Sequence, residues 1–345
     1  MTKLTNTLPP PRTTSVDRKL LHMNPFNPRR SDVDISCPGL NVAANYGFLA
    51  RDGITTFTEL VDAQQNIYNV GYDLANLLAI LGLTLTDGDL VTEKLSIGCD
   101  ATTRTSFSPA LTGSEPGLDG HNKFEADTSL TRNDFFTHGG DNFSFNRTLF
   151  NMMTETTGGN YNRENLSKYR LQRYNQSRAE NPNFFFGPLS LLLFGAASFL
   201  YELMPSGTHG YAPDYATISS FFIDEKIPDN WTNRVTPYTN NDVTREILAM
   251  YLENPVLFGG NTDDGKFLAV NFGAIKDGKL DAGLDARDTS CLLYQLATGP
   301  VPSYLNGLVT PTVDALAFAA KKLGASGMLF PNTCYHYQHA NRAFE

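Results

Sequence analysis

Apolar residues recur at helical spacing through most of the chain. Thr56-Phe57-Thr58-Glu59 has the form of a capping box: the Thr side chain accepts from the Glu59 amide and the Glu side chain returns to the Thr amide. Leu60, Val61 and Ile67 continue on a helical face, Gly71 marks a break, and Leu74, Leu77, Leu78 and Ile80 resume the pattern. Residues 145–153 and 165–178 predict two further helices, the second rich in surface Lys and Arg. Residues 188–204 are apolar nearly all round, which predicts a buried central helix. The longest apolar run, Leu189 to Leu200, is shorter than the ~20 residues a bilayer crossing needs. Residues 213–223 and 243–252 are amphipathic. Thr310-Pro311 reads as an N-cap with Pro at the first helical position, and Gly324 stops that helix after Lys321-Lys322. Alternating strand patterns are scarce, residues 266–272 being the best. There is no repeat of fixed period and no linker long enough to divide the chain. The expectation is an all-α, single-domain, multi-helix fold over 25–345 with little β and long loops at 100–122 and 255–286. A polar, Pro-rich extension over 1–24 precedes it.

With 345 residues, 41% of them hydrophobic, the chain can build one large core or two modest ones. Lys+Arg 27 against Asp+Glu 36 gives a formal charge of −9, which repels phosphate backbones, and no basic run interleaved with aromatics is present; nucleic acid and membrane are not expected partners. Cys37, Cys99, Cys291 and Cys334 form no Cys-x-x-Cys pair, so a structural zinc site has no support; Cys291 and Cys334 are close enough in sequence to pair. Met1 to Arg30 has no apolar core of a signal peptide. Asn-x-Ser/Thr triplets begin at Asn142, Asn146, Asn165, Asn175 and Asn230, slightly more than chance gives in an Asn-rich chain. The compartment stays open between a secretory route, with a leader removed, and the cytoplasm. Rossmann and Walker glycine loops, Gly-x-Ser-x-Gly and His-Glu-x-x-His are absent.

The chemistry-bearing run is Ser36-Cys37-Pro38-Gly39-Leu40-Asn41, just before the first strong helix. A Cys followed by Pro and Gly lies in a turn that presents sulfur to a ligand while backbone amides point toward it, which stabilises a thiolate. Cys37 to Asn41, then Ala44-Asn45, Gly47-Phe48 and Arg51-Asp52-Gly53, closely resembles the proximal loop of the fungal haem-thiolate peroxidases, the family of chloroperoxidase and the unspecific peroxygenases. Tyr46 and Ala50 depart from the family's usual His and Pro. Glu125-Ala126-Asp127-Thr128-Ser129 resembles its cation segment, and Asn146 to Phe150, Asn181 to Phe184, Ser290 to Tyr294 and Leu329 to Pro331 extend the similarity over residues 25 to 332.

The resemblance implies haem b with Cys37 as axial thiolate, cradled by Pro38, Gly39, Leu40 and Asn41. It implies Mg²⁺ or Mn²⁺ on Glu125, the Ala126 carbonyl and Ser129, since hard oxygen donors suit such cations. It also implies a disulfide from Cys291 to a C-terminal position that here is Ser326, unless Cys334 takes its place. In the family a distal Glu, oriented by an Arg, moves the peroxide's protons. The corresponding positions here are Ala196 and Leu189, and the alternative His position is Ala126. The resemblance therefore implies an apolar distal pocket of Phe124, Leu189, Leu193, Ala196, Ala197, Phe199 and Val70. Glu202, the nearest acid, is about 240° round the helix from Ala196 and should face elsewhere.

Three readings follow. The first is a haem-thiolate oxidoreductase with an atypical distal site, acting on a hydrophobic small molecule, with hydrogen peroxide as co-substrate, in fungal secondary metabolism. The second is a haem-thiolate protein turned to a non-peroxide reaction such as cyclisation, dehydration or rearrangement. The third is a haem-binding homologue without activity. Residue patterns alone leave the substrate and the oligomeric state open.

Overall fold

The computed structural model describes residues 13–15, 27, 37–85, 88–98, 118, 127–206, 212–229, 231–271, 275–280, 317–319 and 321–322. Within them the protein is mostly helical. The helices are α1 (Pro38–Asn45), α2 (Phe57–Tyr68), α3 (Tyr72–Leu85), α4 (Arg147–Thr157), α5 (Arg163–Glu180), α6 (Leu192–Leu203), α7 (Tyr215–Phe222) and α8 (Asn240–Glu253). No described helix is long and apolar enough to cross a membrane.

The capping box is formed: Glu59 N donates to Thr56 Oγ1 at 3.3 Å and Thr56 N to Glu59 Oε2 at 2.8 Å. The break between α2 and α3 is built by Asn69, whose φ of 54° ends α2 in the left-handed region. Asn69 Nδ2 donates to the carbonyls of Arg234 and Val235, both at 2.8 Å, and Gly71 N to that of Tyr238 at 2.7 Å. A side chain at Gly71 would meet Asp73 Oδ1 at 2.7 Å and the Tyr238 carbonyl at 3.2 Å, so glycine gives the close fit where the corner docks on 234–238.

α6 is the central helix, packed on α8 and α5, while α2 pairs with α3 and α4 with α5. The apolar run expected as one helix over 188–204 divides in two: Pro188–Leu191 is a 3₁₀ turn and α6 follows. α5 corrects another expectation, for its Arg170 and Arg173 are buried rather than on the surface. Burial of two guanidinium groups is tolerated because they serve loop oxygens, as described below.

Short strands hold the periphery. Ile54–Thr56 pairs with Lys94–Ser96, and Phe185–Phe186 with Gly259–Asn261, which pairs in turn with Phe267–Ala269, all antiparallel. Ile275–Lys276 pairs with Lys279–Leu280. The strand expected at 266–272 forms at Phe267–Ala269; the rest of the segment 255–286, expected as loop, also carries Gly259–Asn261, which finds partners on Phe185–Phe186, and the hairpin over 275–280. Thr13–Ser15, in the segment read as an extension, pairs with Thr232–Arg234. Of the expected helix after Thr310-Pro311, residues 317–319 and 321–322 are helical and the rest lies outside the described residues, as do Cys99, Cys291, Ser326 and Cys334.

Candidate active site

α1 begins at Cys37. Cys37 is its N-cap, with extended backbone (φ −100°, ψ 103°), and Pro38 stands in the first turn, where no amide hydrogen is needed. The Asn41 amide closes the first turn on the Cys37 carbonyl at 3.1 Å. Sulfur at the positive end of a helix is a setting that favours the thiolate. Tyr68, the last residue of α2, fastens this turn from below: its hydroxyl donates to the Gly39 carbonyl at 2.7 Å. Burial, reinforced by the nearby Cys37, pushes the Tyr68 hydroxyl well above the usual tyrosine range, so it stays a donor. Tyr68 also stacks edge-on with Trp231, ring centres 6.2 Å apart.

Above this turn lies a cavity of about 270 Å³, walled by Cys37, Pro38, Gly39 and Leu40 of the α1 start, by α2, α3 and α6, and by Val243 and Ile247 of α8. Leu193, Ala196 and Phe199 of α6 face it, as does Val70 from the corner between α2 and α3. Its lining is almost wholly aliphatic, with Gln64, Tyr68, Ser129, Thr131 and Arg132 as the polar exceptions. Among the described residues the lining holds no Asp, Glu or His.

Three residues expected at this pocket stand outside it. Asn41 is buried on the second turn of α1, and only the first turn meets the cavity. Ala197 is turned 100° from Ala196 and packs into the core. Leu189 lies in the 3₁₀ segment before α6, half-buried against the core and not part of the cavity lining. Phe124, Glu125 and Ala126 lie outside the described residues. Glu202 faces away from the cavity and pairs with Arg234, whose guanidinium also lies over the Tyr238 ring, 4.7 Å from its centre.

Ser129 and Arg132 come from a loop, 127–134, held by α5. Arg170 donates to the Thr128 carbonyl and, at 2.7 Å, to Thr128 Oγ1. Arg173 Nε donates to the Ser129 carbonyl at 2.9 Å, and its Nη2 lies 3.3 Å from Asp134 Oδ1. Asp134 also accepts from Ser177, so one face of α5 spells Arg170, Arg173, Ser177 along the loop. Thr128 has a φ of 75°, costly for a β-branched residue, and the clamp by Arg170 holds it there. Asp127 accepts at Oδ2 from the Phe185 amide (2.9 Å) and Asn181 Nδ2 (3.1 Å). Burial, with Asp134 beside it, raises its carboxyl well above the usual range.

Residue spacing did not single out Tyr68, Gln64, Arg170 or Arg173 as site residues. A helical reading of Leu60, Gln64 and Tyr68 at intervals of four would have put two polar groups on a buried face, which is the available signal. Nothing local marks Arg170 and Arg173, whose partners are some forty residues away.

A helix-borne thiol opening on an apolar, helix-walled cavity with one cationic corner suits a flat, largely apolar group that takes a thiolate at its centre and carries anions at its edge. The comparisons with known proteins agree. The family model described as Peroxidase, family 2 matches residues 24–236, and the chain belongs to that family. It is similar to an aromatic peroxygenase of Coprinellus radians (38% identical over 224 residues, 61% of this chain and 83% of the relative). It is also similar to the aromatic peroxidase fscJ of Fusarium equiseti (26% over 336 residues, 88% and 76%). The dothistromin biosynthesis peroxidase dotB of Dothistroma septosporum matches at 28% over 293 residues, 77% and 70%. The protein is a peroxidase- or peroxygenase-like enzyme.

Proposed function

We propose that the protein is a haem-thiolate oxidoreductase of fungal secondary metabolism that oxidises a hydrophobic small molecule, with Cys37 as the axial ligand of haem b. The observation that carries the reading is the Cys37 thiol at the α1 N-terminus, open to an aliphatic cavity. The fold is read as one all-α domain over residues 25–345. When bound, the haem would supply peroxide activation and oxygen or electron transfer. The chain's own part is to hold the sulfur as thiolate, wall out water with Leu74, Leu77, Leu193 and Leu200, and offer Arg132 to the anionic edge of the cofactor. Relatives named for a biosynthetic peroxidase and for aromatic oxidations support the choice of pathway type and substrate.

Mg²⁺ or Mn²⁺ belongs to the same reading, on Glu125, the Ala126 carbonyl and Ser129. Ser129 lines the cavity, and its carbonyl accepts from Arg173. Leu189, half-buried, and Ala197, fully buried, belong to the same reading as residues flanking the cavity lining. Ala196 stands where a proton-transferring carboxylate would serve peroxide cleavage, and that observation favours a second reading: a haem-thiolate protein carrying out a non-peroxide rearrangement or dehydration of a bound intermediate.

The test is the absorption spectrum of the purified protein, alone, reduced under CO, and with peroxide. The expected result is the CO-bound band of a thiolate-ligated haem, lost in Cys37→Ala. A haem protein whose CO-bound spectrum is unchanged by Cys37→Ala would sink the assignment. A thiolate spectrum with no peroxide-dependent turnover of any aromatic probe would select the second reading.

A further inference from the structure

We infer that Gln64 is the residue that selects the substrate, accepting a hydrogen bond from a hydroxyl on an otherwise apolar, aromatic molecule. This rests on the reading of the cavity as the reaction chamber. Leu60, Gln64 and Tyr68 lie four residues apart on α2, and all three wall the cavity. Gln64 is buried, 8% exposed, and both uses of its Nε2 are accounted for: it donates to the Leu60 carbonyl at 3.0 Å and to the Ala75 carbonyl, on α3, at 3.4 Å. Both partners are backbone carbonyls, which only accept, so the amide cannot be turned the other way round. The nitrogen is therefore tied to the helices, and Oε1 is presented to the cavity. Among the described residues nothing donates to it.

An amide oxygen held in an aliphatic pocket is a costly feature unless something donates to it. The proposed cofactor does not: a haem ring offers no N–H or O–H, and its carboxylates are acceptors. Tyr68, the nearest hydroxyl along the stripe, is already committed to the Gly39 carbonyl. A water molecule or a hydroxyl arriving with the substrate can supply the donor, and a substrate hydroxyl that takes the water's place keeps the hydrogen bond. Ser129, Thr131 and Arg132 lie together on the loop 127–134, while Leu74, Leu77, Leu78, Leu193, Phe199 and Ile247 recognise only shape and apolar surface. A fixed acceptor beside such walls sets both orientation and selectivity, because an analogue without the donor does not pair with the oxygen.

The test is a binding titration of the haem-loaded protein, followed by the absorbance change of the haem, with naphthol and methoxynaphthalene as the pair of probes. The two share a ring system and differ in having or lacking the donor. The wild-type protein is expected to bind naphthol about tenfold more tightly than its methyl ether, the value of one well-made hydrogen bond. In Gln64→Leu that preference should vanish, with methoxynaphthalene bound as tightly as before or better. The wild-type comparison stands even if the variant folds poorly. Equal binding of both probes by the wild type overturns the assignment, leaving the cavity as the chamber. A naphthol preference that persists in Gln64→Leu overturns it too, since the hydroxyl is then recognised elsewhere, for instance at the iron. A change confined to peroxide dependence, with both probes bound alike, makes peroxide the donor and likewise overturns it. Failure of both probes to bind at all overturns the chamber reading and this inference with it.

Discussion

Ala196→Glu tests whether one missing carboxylate limits peroxide chemistry. Ala196 lies on the cavity face of α6, with Leu193, Phe199 and Leu200, so a glutamate there enters the cavity and not the core. Glu is a good helix former, so the backbone loses little. A positioned acid–base group contributes typically 10²–10⁴ in rate, or about 2.7–5.4 kcal/mol at 1.36 kcal/mol per decade. The aliphatic walls will raise the new carboxyl's pKa, so the gain should grow as pH rises through that value, where the base form accumulates. The assay is initial rate of peroxide-dependent oxidation of an aromatic probe, normalised to haem content by the thiolate spectrum. About a hundredfold rise is expected. Ala197→Glu is the internal control: Ala197 is fully buried off the cavity, and forcing a carboxylate there should cost about 3 kcal/mol or more of stability and bring no activity. If Ala196→Glu binds haem normally and its rate does not rise at any pH, the account of Ala196 as the acid–base position is wrong. If both variants gain alike, the facing of α6 is wrong.

Two further outcomes follow from the buried network. Arg173→Met strips Asp134 and the Ser129 carbonyl of their shared cation and should destabilise the fold by about 3–5 kcal/mol, read from denaturant unfolding; a loss under about 1 kcal/mol would show that the loop 127–134 is held by something else. Burial raises the hydroxyl pKa of Tyr68, Tyr169, Tyr201 and Tyr238, with Glu246 adding to it at Tyr201. A group whose folded pKa is raised stabilises fully below its unfolded value, about 10 for tyrosine, and that stability is lost as pH climbs through the folded value. Tyrosinate absorbance should therefore lack these residues' amplitude until alkaline unfolding releases them together. Reversible ionisation of all fifteen tyrosines in a folded sample would refute it.

Some of this protein is local and therefore legible in the chain. The capping box at Thr56 and Glu59 and the N-terminal Cys37-Pro38 turn each depend on neighbours within four residues, and both form as read; the break at Gly71 also forms, fixed by contacts to 234–238. The displacement of Glu202 from the cavity also follows from helical geometry alone. Other features needed the fold. Whether Ala196 or Ala197 meets the cavity depends on how α6 is rotated between α5 and α8, and the 3₁₀ turn that holds Leu189 is a change that no periodicity encodes. Arg170 and Arg173 read as surface charges until the loop 127–134 supplies oxygens to bury them against. Gln64 is an unremarkable helix residue until α3 offers Ala75 as a second carbonyl and turns its oxygen inward. The chain by itself determined the thiol and the helix that carries it, because those contacts are short-range. What surrounds the thiol, and so what it can act on, was decided only where distant segments met.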